Sequence, residues 1–407
     1  MPLPLPEPIV QHASNPHARR DLRYGERQRR VLDSAECEAA RREIASWPGY
    51  APTPVLSLAG LAARSGCAKL WYKDEAGRFG LGSFKSLGGA FAVARILIAE
   101  IERRSGQHAS VADLLAGRYR DLTRTVTVTC ATDGNHGRSV AWGARQFGCQ
   151  CVIYIHATVS KGRQQAIEAY GAEVVRTAGN YDDAVRAADR DAERLGRIVV
   201  SDTSYPGYMD IPRTVMQGYT VLADEAIEQL AAEGGPTHVF LQGGVGGFAA
   251  AVIARYWERL GARRPRCIVV EPDQAACIFA SVRAGKPVAI TGALDTMMAG
   301  LACGEVSLLA WEILDQGMDD ALMIPDAAAI ACMRLLADGG GDPPVVAGES
   351  AVAGLAGALG ALQREDLRAA LELERSSRVL VIGTEGATDP ELYRQLVGRG
   401  PQEVRAT

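Results

Sequence analysis

Val126-Thr127-Val128-Thr129-Cys130-Ala131-Thr132-Asp133-Gly134-Asn135-His136-Gly137 is a β-rich run that stops at a polar, glycine-bearing turn and gives way to a helical pattern. β-Branched residues at 126–129 favour a strand. Gly134, Asn135 and Gly137 permit a sharp turn into a helix over 137–148. The alternation then repeats: strands are expected at 151–155, 173–176 and 198–201, with helices at 160–170 and 181–195 between them. Such alternation implies parallel strands covered by helices. A second set, with helix 212–232, strand 238–241, helix 247–260, strand 267–271 and a late strand 378–382, implies another sheet of the same kind. The chain therefore reads as α/β. A larger domain takes residues 1–85 and 212–407, and a smaller α/β domain, 86–211, is inserted into it. Ligands of such sheets sit at the carboxyl ends of the strands.

Upstream, a helix from Ser34 to Ala45 ends before Pro48, 52–56 is an extended, edge-like lead-in, and 70–73 is a short strand. A loop then delivers Gly82-Ser83-Phe84-Lys85-Ser86-Leu87-Gly88-Gly89, followed by an apolar helix over 90–98. Lys85 is one of only five lysines in 407 residues; the others are Lys69, Lys73, Lys161 and Lys286. A lysine that sheds its proton is an amine nucleophile toward a carbonyl, a role arginine cannot take. Small residues around Lys85 are read as letting backbone approach whatever the amine holds.

Composition narrows the function classes. Hydrophobic residues make up 47% and charged residues 23%, ordinary values for a globular enzyme long enough for two domains. A net charge of -4 carries no basic bias, which argues against nucleic acid as a partner. No apolar run approaches the ~20 residues of a membrane span. The start of the chain, with Pro2, Pro4, Pro6 and Pro8, lacks the pattern of a secretory signal, so a cytoplasmic location is expected. Nine cysteines show no repeated zinc spacing, so no metal is expected. They read as thiols.

Two loops carry binding chemistry. Residues 131–137 set amides at a helix start, which suits an anion such as a carboxylate, and Asn135 suits a phenolic or carbonyl oxygen. Gln242-Gly243-Gly244-Val245-Gly246-Gly247 again joins a strand to a helix and suits a phosphate. A rival reading exists for the second loop. Residues 244–249 fit the dinucleotide pattern G-x-G-x-x-A, and the next strand ends in an acid, Glu271. Hydride transfer, however, gives no role to Lys85 or to the Asn135 loop.

Ser83-Phe84-Lys85, Gly134-Asn135-His136-Gly137 and the Gly243-to-Gly247 loop, in that order and spacing, resemble the pyridoxal-phosphate enzymes of the tryptophan-synthase-β type. The match covers roughly residues 50–390. It implies the fold type II architecture: two open twisted parallel-sheet domains with pyridoxal 5'-phosphate in the cleft between them. It further implies Lys85 as the lysine that carries the cofactor, Asn135 beside its phenolic oxygen and Gly243, Gly244, Val245, Gly246 and Gly247 around its phosphate. Thr384 would face the pyridine nitrogen, and a homodimer is implied. Dehydratases of this group usually carry Ser before Gly-Asn-His, whereas this chain has Asp133. That residue, with Asp202-Thr203, Gly207-Tyr208, Ile211-Pro212, Met216-Gln217-Gly218-Tyr219, 298–305 and Thr384-Glu385-Gly386, resembles the diaminopropionate ammonia-lyases.

That resemblance implies α,β-elimination from 2,3-diaminopropionate of both hands, giving pyruvate and two ammonia. Lys85 is then the base for one face of the substrate. Asp133 is the base for the other face, and Asp133 and Asp202 are the candidate acids for the leaving amine. Thr132, Asp133, Gly134, His136 and Tyr208 are the expected substrate contacts, although a histidine at a helix start also serves as a packed group. Glu349, Cys277 and Cys303 lie in matching segments without an assigned role. The alternatives are the same chemistry on serine, threonine or hydroxyaspartate, and a non-catalytic sensor of an amino acid or nucleotide.

Overall fold

The computed structural model describes residues 11–406 apart from Asp133 and Asn180. Strands among these residues are β1 (Gln11–Ser14), β2 (Val55–Ser57), β3 (Lys69–Asp74), β4 (Thr127–Ala131), β5 (Gln150–Ile155), β6 (Glu173–Arg176), β7 (Ile198–Val199), β8 (His238–Gln242), β9 (Arg266–Pro272), β10 (Asp320–Ile324) and β11 (Arg378–Gly383). They form a seven-stranded sheet, ordered β1-β10-β9-β8-β11-β3-β2, and a four-stranded sheet, ordered β6-β5-β4-β7. The smaller sheet is parallel throughout. In the larger one the five inner strands are parallel, and β1 and β2 close the edges antiparallel. The central strand β8 is buried from end to end, as a strand covered by helices on both faces is. The edges β1 and β2 are half-exposed. Among the described residues no helix is long and apolar enough to cross a membrane.

The chain divides into two compact units. One comprises Met1–Ser34, Ala51–Ser83 and Leu222–Thr407, the other Ala35–Tyr50 and Phe84–Val221. These bounds differ from 1–85 with 212–407 against 86–211, most clearly at residues 35–50. The helix Ser34–Ala45 buries Cys37, Ala40 and Ile44. Trp47 then packs on Trp142 and Phe147 at ring-centroid distances of 6.1 and 5.4 Å. These aromatic contacts tie the stretch to the smaller sheet's unit.

In the larger unit the helix Ala353–Gln363 lies directly on the sheet. A Cβ on Gly354 would come within 2.7 Å of the Phe240 carbonyl oxygen, and one on Gly357 within 2.6 Å of Val270. Glycine is what permits this approach. The same unit buries an ionic cluster. Glu225 accepts from Lys73 at 2.6 Å, from Arg78 at 2.7 and 2.8 Å and from the Thr53 amide at 3.1 Å. Glu75 accepts from Arg78 at 2.9 Å. Two cations face two carboxylates, so the buried charge is balanced, the condition under which such groups are tolerated.

In the smaller unit the helices Ser86–Ser105 and Asn135–Phe147 pack tightly, since a Cβ on Gly143 would sit 2.8 Å from Ala90 Cα. Gly88 and Gly89 serve packing in the same way. A Cβ on Gly88 would meet Val215 at 2.7 Å, and one on Gly89 would run into Ser139. These two glycines, read as leaving backbone open to a ligand, are instead covered by neighbouring helices.

Candidate active site

Lys85 caps the N-terminus of the helix Ser86–Ser105. Ser139 fixes its backbone, donating to the Lys85 carbonyl at 2.8 Å and accepting from the Ala90 amide at 3.2 Å. The Lys85 amine donates to Asp202 Oδ2 at 2.5 Å, and each side chain keeps 20% exposure, so the pair is sheltered yet reachable. Beside them the Phe84 and Tyr219 rings pack with centroids 4.7 Å apart, and Lys85 Nζ lies 5.4 and 5.6 Å from their centres. Burial is the largest single influence on the Asp202 carboxyl and pushes it upward, but the Lys85 charge, His136 and the hydrogen bonds from Lys85 and backbone together hold the group well below the ordinary carboxylate range.

Asp202 is delivered just beyond β7. The Tyr208 hydroxyl donates to the Val199 carbonyl at 2.8 Å and accepts from the Ser201 amide at 3.0 Å. These backbone bonds occupy the phenol. Tyr208 therefore steadies the Asp202 turn, which revises its expected role as a substrate contact. It also accounts for β7 ending at Val199 rather than at 201.

His136 is buried at the start of the helix Asn135–Phe147, and Nε2 donates to the Val200 carbonyl at 2.7 Å. Nδ1 is then the bare nitrogen, 3.9 Å from Asp202 Oδ2. Burial lowers the imidazole pKa, so the ring is neutral at physiological pH. Thr132 accepts from the Gly134 and Gly137 amides at 3.0 and 3.1 Å and so shapes the turn. Asn135 Oδ1 accepts from Arg138 at 2.8 Å, which leaves Nδ2 as the donating end of that amide. Asp133 lies outside the described residues.

In the larger unit β8 ends in Gln242, and Gly243 to Gly247 lead into the helix Gly247–Leu260. Gly246 is left-handed at φ +90°, where a Cβ would also meet Leu314 at 2.9 Å. A Cβ on Gly244 would meet the Gly300 carbonyl oxygen at 3.2 Å and Cys303 Sγ at 3.3 Å. Among the described residues no backbone carbonyl accepts from the amides of Gly244, Val245, Gly246 or Gly247. Glycine backbone, amides with no carbonyl partner and a helix start together fit a phosphate. Cys277 donates to the Gly244 carbonyl at 3.5 Å, and both Cys277 and Cys303 are thiols. Thr384, buried just after β11, accepts from Gln242 Nε2 at 3.0 Å.

Glu271 decides between the two readings of this loop. Its carboxyl group is fully buried and accepts from the Ile278 and Phe279 amides at 2.9 and 2.6 Å. An acid spent on capping the helix Cys277–Ala284 does not reach a ribose hydroxyl, so the dinucleotide reading fails. Lys73 is excluded as a rival amine in the same way. It donates to the Thr53 carbonyl, Glu225 and Gln229 at 2.7, 2.6 and 3.0 Å, which uses all three of its protons.

Comparison with known proteins agrees with this geometry. Residues 46–385 match the family model described as pyridoxal-phosphate dependent enzyme. Diaminopropionate ammonia-lyase of Escherichia coli K12 is 41% identical over 384 residues, 92% of this chain and 94% of the relative. The enzyme of that name from Salmonella typhimurium LT2 is 40% identical over 362 residues, 87% of this chain and 89% of the relative. The crystal structure of the Escherichia coli diaminopropionate ammonia-lyase in complex with D-serine superposes with a TM-score of 0.87 at 37% identity, covering 98% of this chain and 99% of that one.

Proposed function

Because this chain belongs to the pyridoxal-phosphate-dependent enzyme family, we propose that it is a carbon–nitrogen lyase that converts 2,3-diaminopropionate of either hand to pyruvate and two ammonia. The observation that carries the substrate is the 41% identity, over 92% of the chain, to a diaminopropionate ammonia-lyase. Pyridoxal phosphate, once bonded to a substrate amine, draws electrons from the bonds at the carbon bearing that amine.

The residues fit that group. Lys85 would hold it through its amine, and Gly243, Gly244, Val245, Gly246 and Gly247 would hold its phosphate with backbone amides. Asn135 would donate through Nδ2 to its phenolic oxygen, and Thr384 would offer a hydroxyl to its pyridine nitrogen. A free Lys85 amine would take the Cα proton on its own face. Asp202 is poised for the leaving amine. With the Lys85 amine engaged by the cofactor, burial, already the largest influence on Asp202, would be opposed less and would raise its affinity for a proton. The carboxyl then has a proton to give to the departing β-amine, which is a poor leaving group unless protonated.

Asp133, one residue before Gly134, is the proposed base for the opposite face, which the D substrate presents. The D-serine bound by the Escherichia coli relative supports acceptance of that hand. By the same family likeness the enzyme is proposed to work as a cytoplasmic homodimer. The test is pyruvate and ammonia release from both hands of 2,3-diaminopropionate, serine and threonine. Diaminopropionate should give the highest kcat/KM, with two ammonia per pyruvate. A higher kcat/KM on serine or threonine would make the protein a dehydratase.

A further inference from the structure

We propose that Tyr219 is a positioning residue for the Lys85 amine, its hydroxyl oxygen accepting from that amine in the charged form. This rests on the reading of Lys85 as the base. Tyr219 stands on the helix Asp210–Leu230, which closes on the start of the helix Ser86–Ser105. Glycines on both sides allow the approach. A Cβ on Gly88 would run into the Tyr219 ring, and one on Gly218 would run into the Leu87 carbonyl. The ring is thereby set beside Lys85, with Nζ 5.6 Å from its centre, and Phe84 packs against it at 4.7 Å.

The phenol is buried, and its hydroxyl makes no close hydrogen bond among the described residues, a state that calls for a reason in a native fold. Asp202 holds the amine instead, at 2.5 Å. Burial raises the phenol pKa, so Tyr219 is neutral at physiological pH; Lys85 is the first influence against burial, and Asp202 adds to it. The other titratable groups around the pair, His136, Tyr208 and Cys130, face Asp202 and are kept neutral by burial. An ammonium only donates, so toward charged Lys85 the Tyr219 oxygen is the acceptor. When Lys85 takes the Cα proton, the bonding pair stays on the carbon, and the new N–H bond and the positive charge arise on the lysine. An acceptor beside the amine is therefore worth more after the transfer than before it, which strengthens Lys85 as a base. Asp202 does not fill this role alone, because in the proposed elimination it takes up and gives away a proton itself. The Tyr219 oxygen remains an acceptor throughout.

The experiment compares wild type with Tyr219→Phe, which removes only the hydroxyl, and with Tyr219→3-fluorotyrosine, which keeps a weaker acceptor in the same place. In the full-length cofactor-free chain, the rate at which added pyridoxal phosphate forms its lysine-bound absorbance band follows the uncharged fraction of Lys85. The pH midpoint of that rate should fall by about 1–2 units in Tyr219→Phe, the worth of a hydrogen bond to a charged group, and by less with fluorotyrosine. In the reconstituted holoenzyme, Tyr219→Phe should lower kcat on L-2,3-diaminopropionate by about tenfold with KM nearly unchanged, and deuterium at Cα should slow the variant more than wild type. An unmoved midpoint, or a loss confined to KM, would overturn the proposal. If Tyr219→Phe does not fold, the fluorotyrosine chain decides by the same midpoint. Absence of lysine-bound cofactor in wild type would instead overturn the proposed function, and this inference with it.

Discussion

Asp202 stands under two opposed influences, burial that favours its acid form and Lys85 that favours its carboxylate, and the proposed elimination uses both in turn. Asp133 is the complementary residue. Enantiomers held by the same carboxylate and amine present their Cα protons on opposite faces of a planar adduct, and Lys85 serves one face only. Asp133→Asn should reduce kcat on D-2,3-diaminopropionate by about 10²–10⁴-fold, the usual worth of a positioned base, while the L rate falls far less. Equal losses on both hands would make Asp133 a binding or leaving-group residue. At this scale the sequence was informative about residue types with few alternative uses. A rare lysine and an acid at a strand end could be picked out. The bonds of Tyr208 and Glu271 could not be read from sequence, because they depend on which backbone groups lie 2.6 to 2.8 Å away in the folded chain. Strand-end position alone had suggested a ribose ligand for Glu271.

The elements are held by buried groups whose titration and charge make further tests. Burial lifts the Glu271 carboxyl from an ordinary 4.5 to about 8, even though two amides point at it. The folded chain then keeps a proton that the unfolded chain releases. The stabilisation is complete below about pH 4.5 and is lost as pH rises to about 8. Glu271→Gln abolishes the titration and leaves a constant offset from the lost cap. The stability of wild type relative to this variant, from urea midpoints across that range, should fall with rising pH; a level difference would contradict the assignment. Glu225→Gln leaves Lys73 and Arg78 buried against Glu75 alone and should cost ~3–5 kcal/mol. A loss under about 1 kcal/mol, the worth of an exposed pair, would show that water reaches the cluster. Most strands were legible from β-branched and apolar runs. β1 is four half-exposed residues, QHAS, with no such pattern. β10, Asp-Ala-Leu-Met-Ile between two helices, reads as readily as helix.

For the whole molecule, alternation along the chain identified two sheets, but it assigned residues to a unit by sequence neighbourhood. The helix Ser34–Ala45 joins the smaller sheet's unit through Trp47, Trp142 and Phe147, contacts between residues about a hundred positions apart that no local pattern announces. The claim on which everything turns is that Lys85, and no other lysine, carries the cofactor. Lys73 has all its protons committed, and Lys69 is paired with Glu233. Borohydride reduction of the purified holoenzyme followed by peptide mapping tests this most directly. A pyridoxyl group on the peptide containing Lys85 alone is the predicted result; the group on Lys69, Lys73, Lys161 or Lys286, or on none, would contradict it.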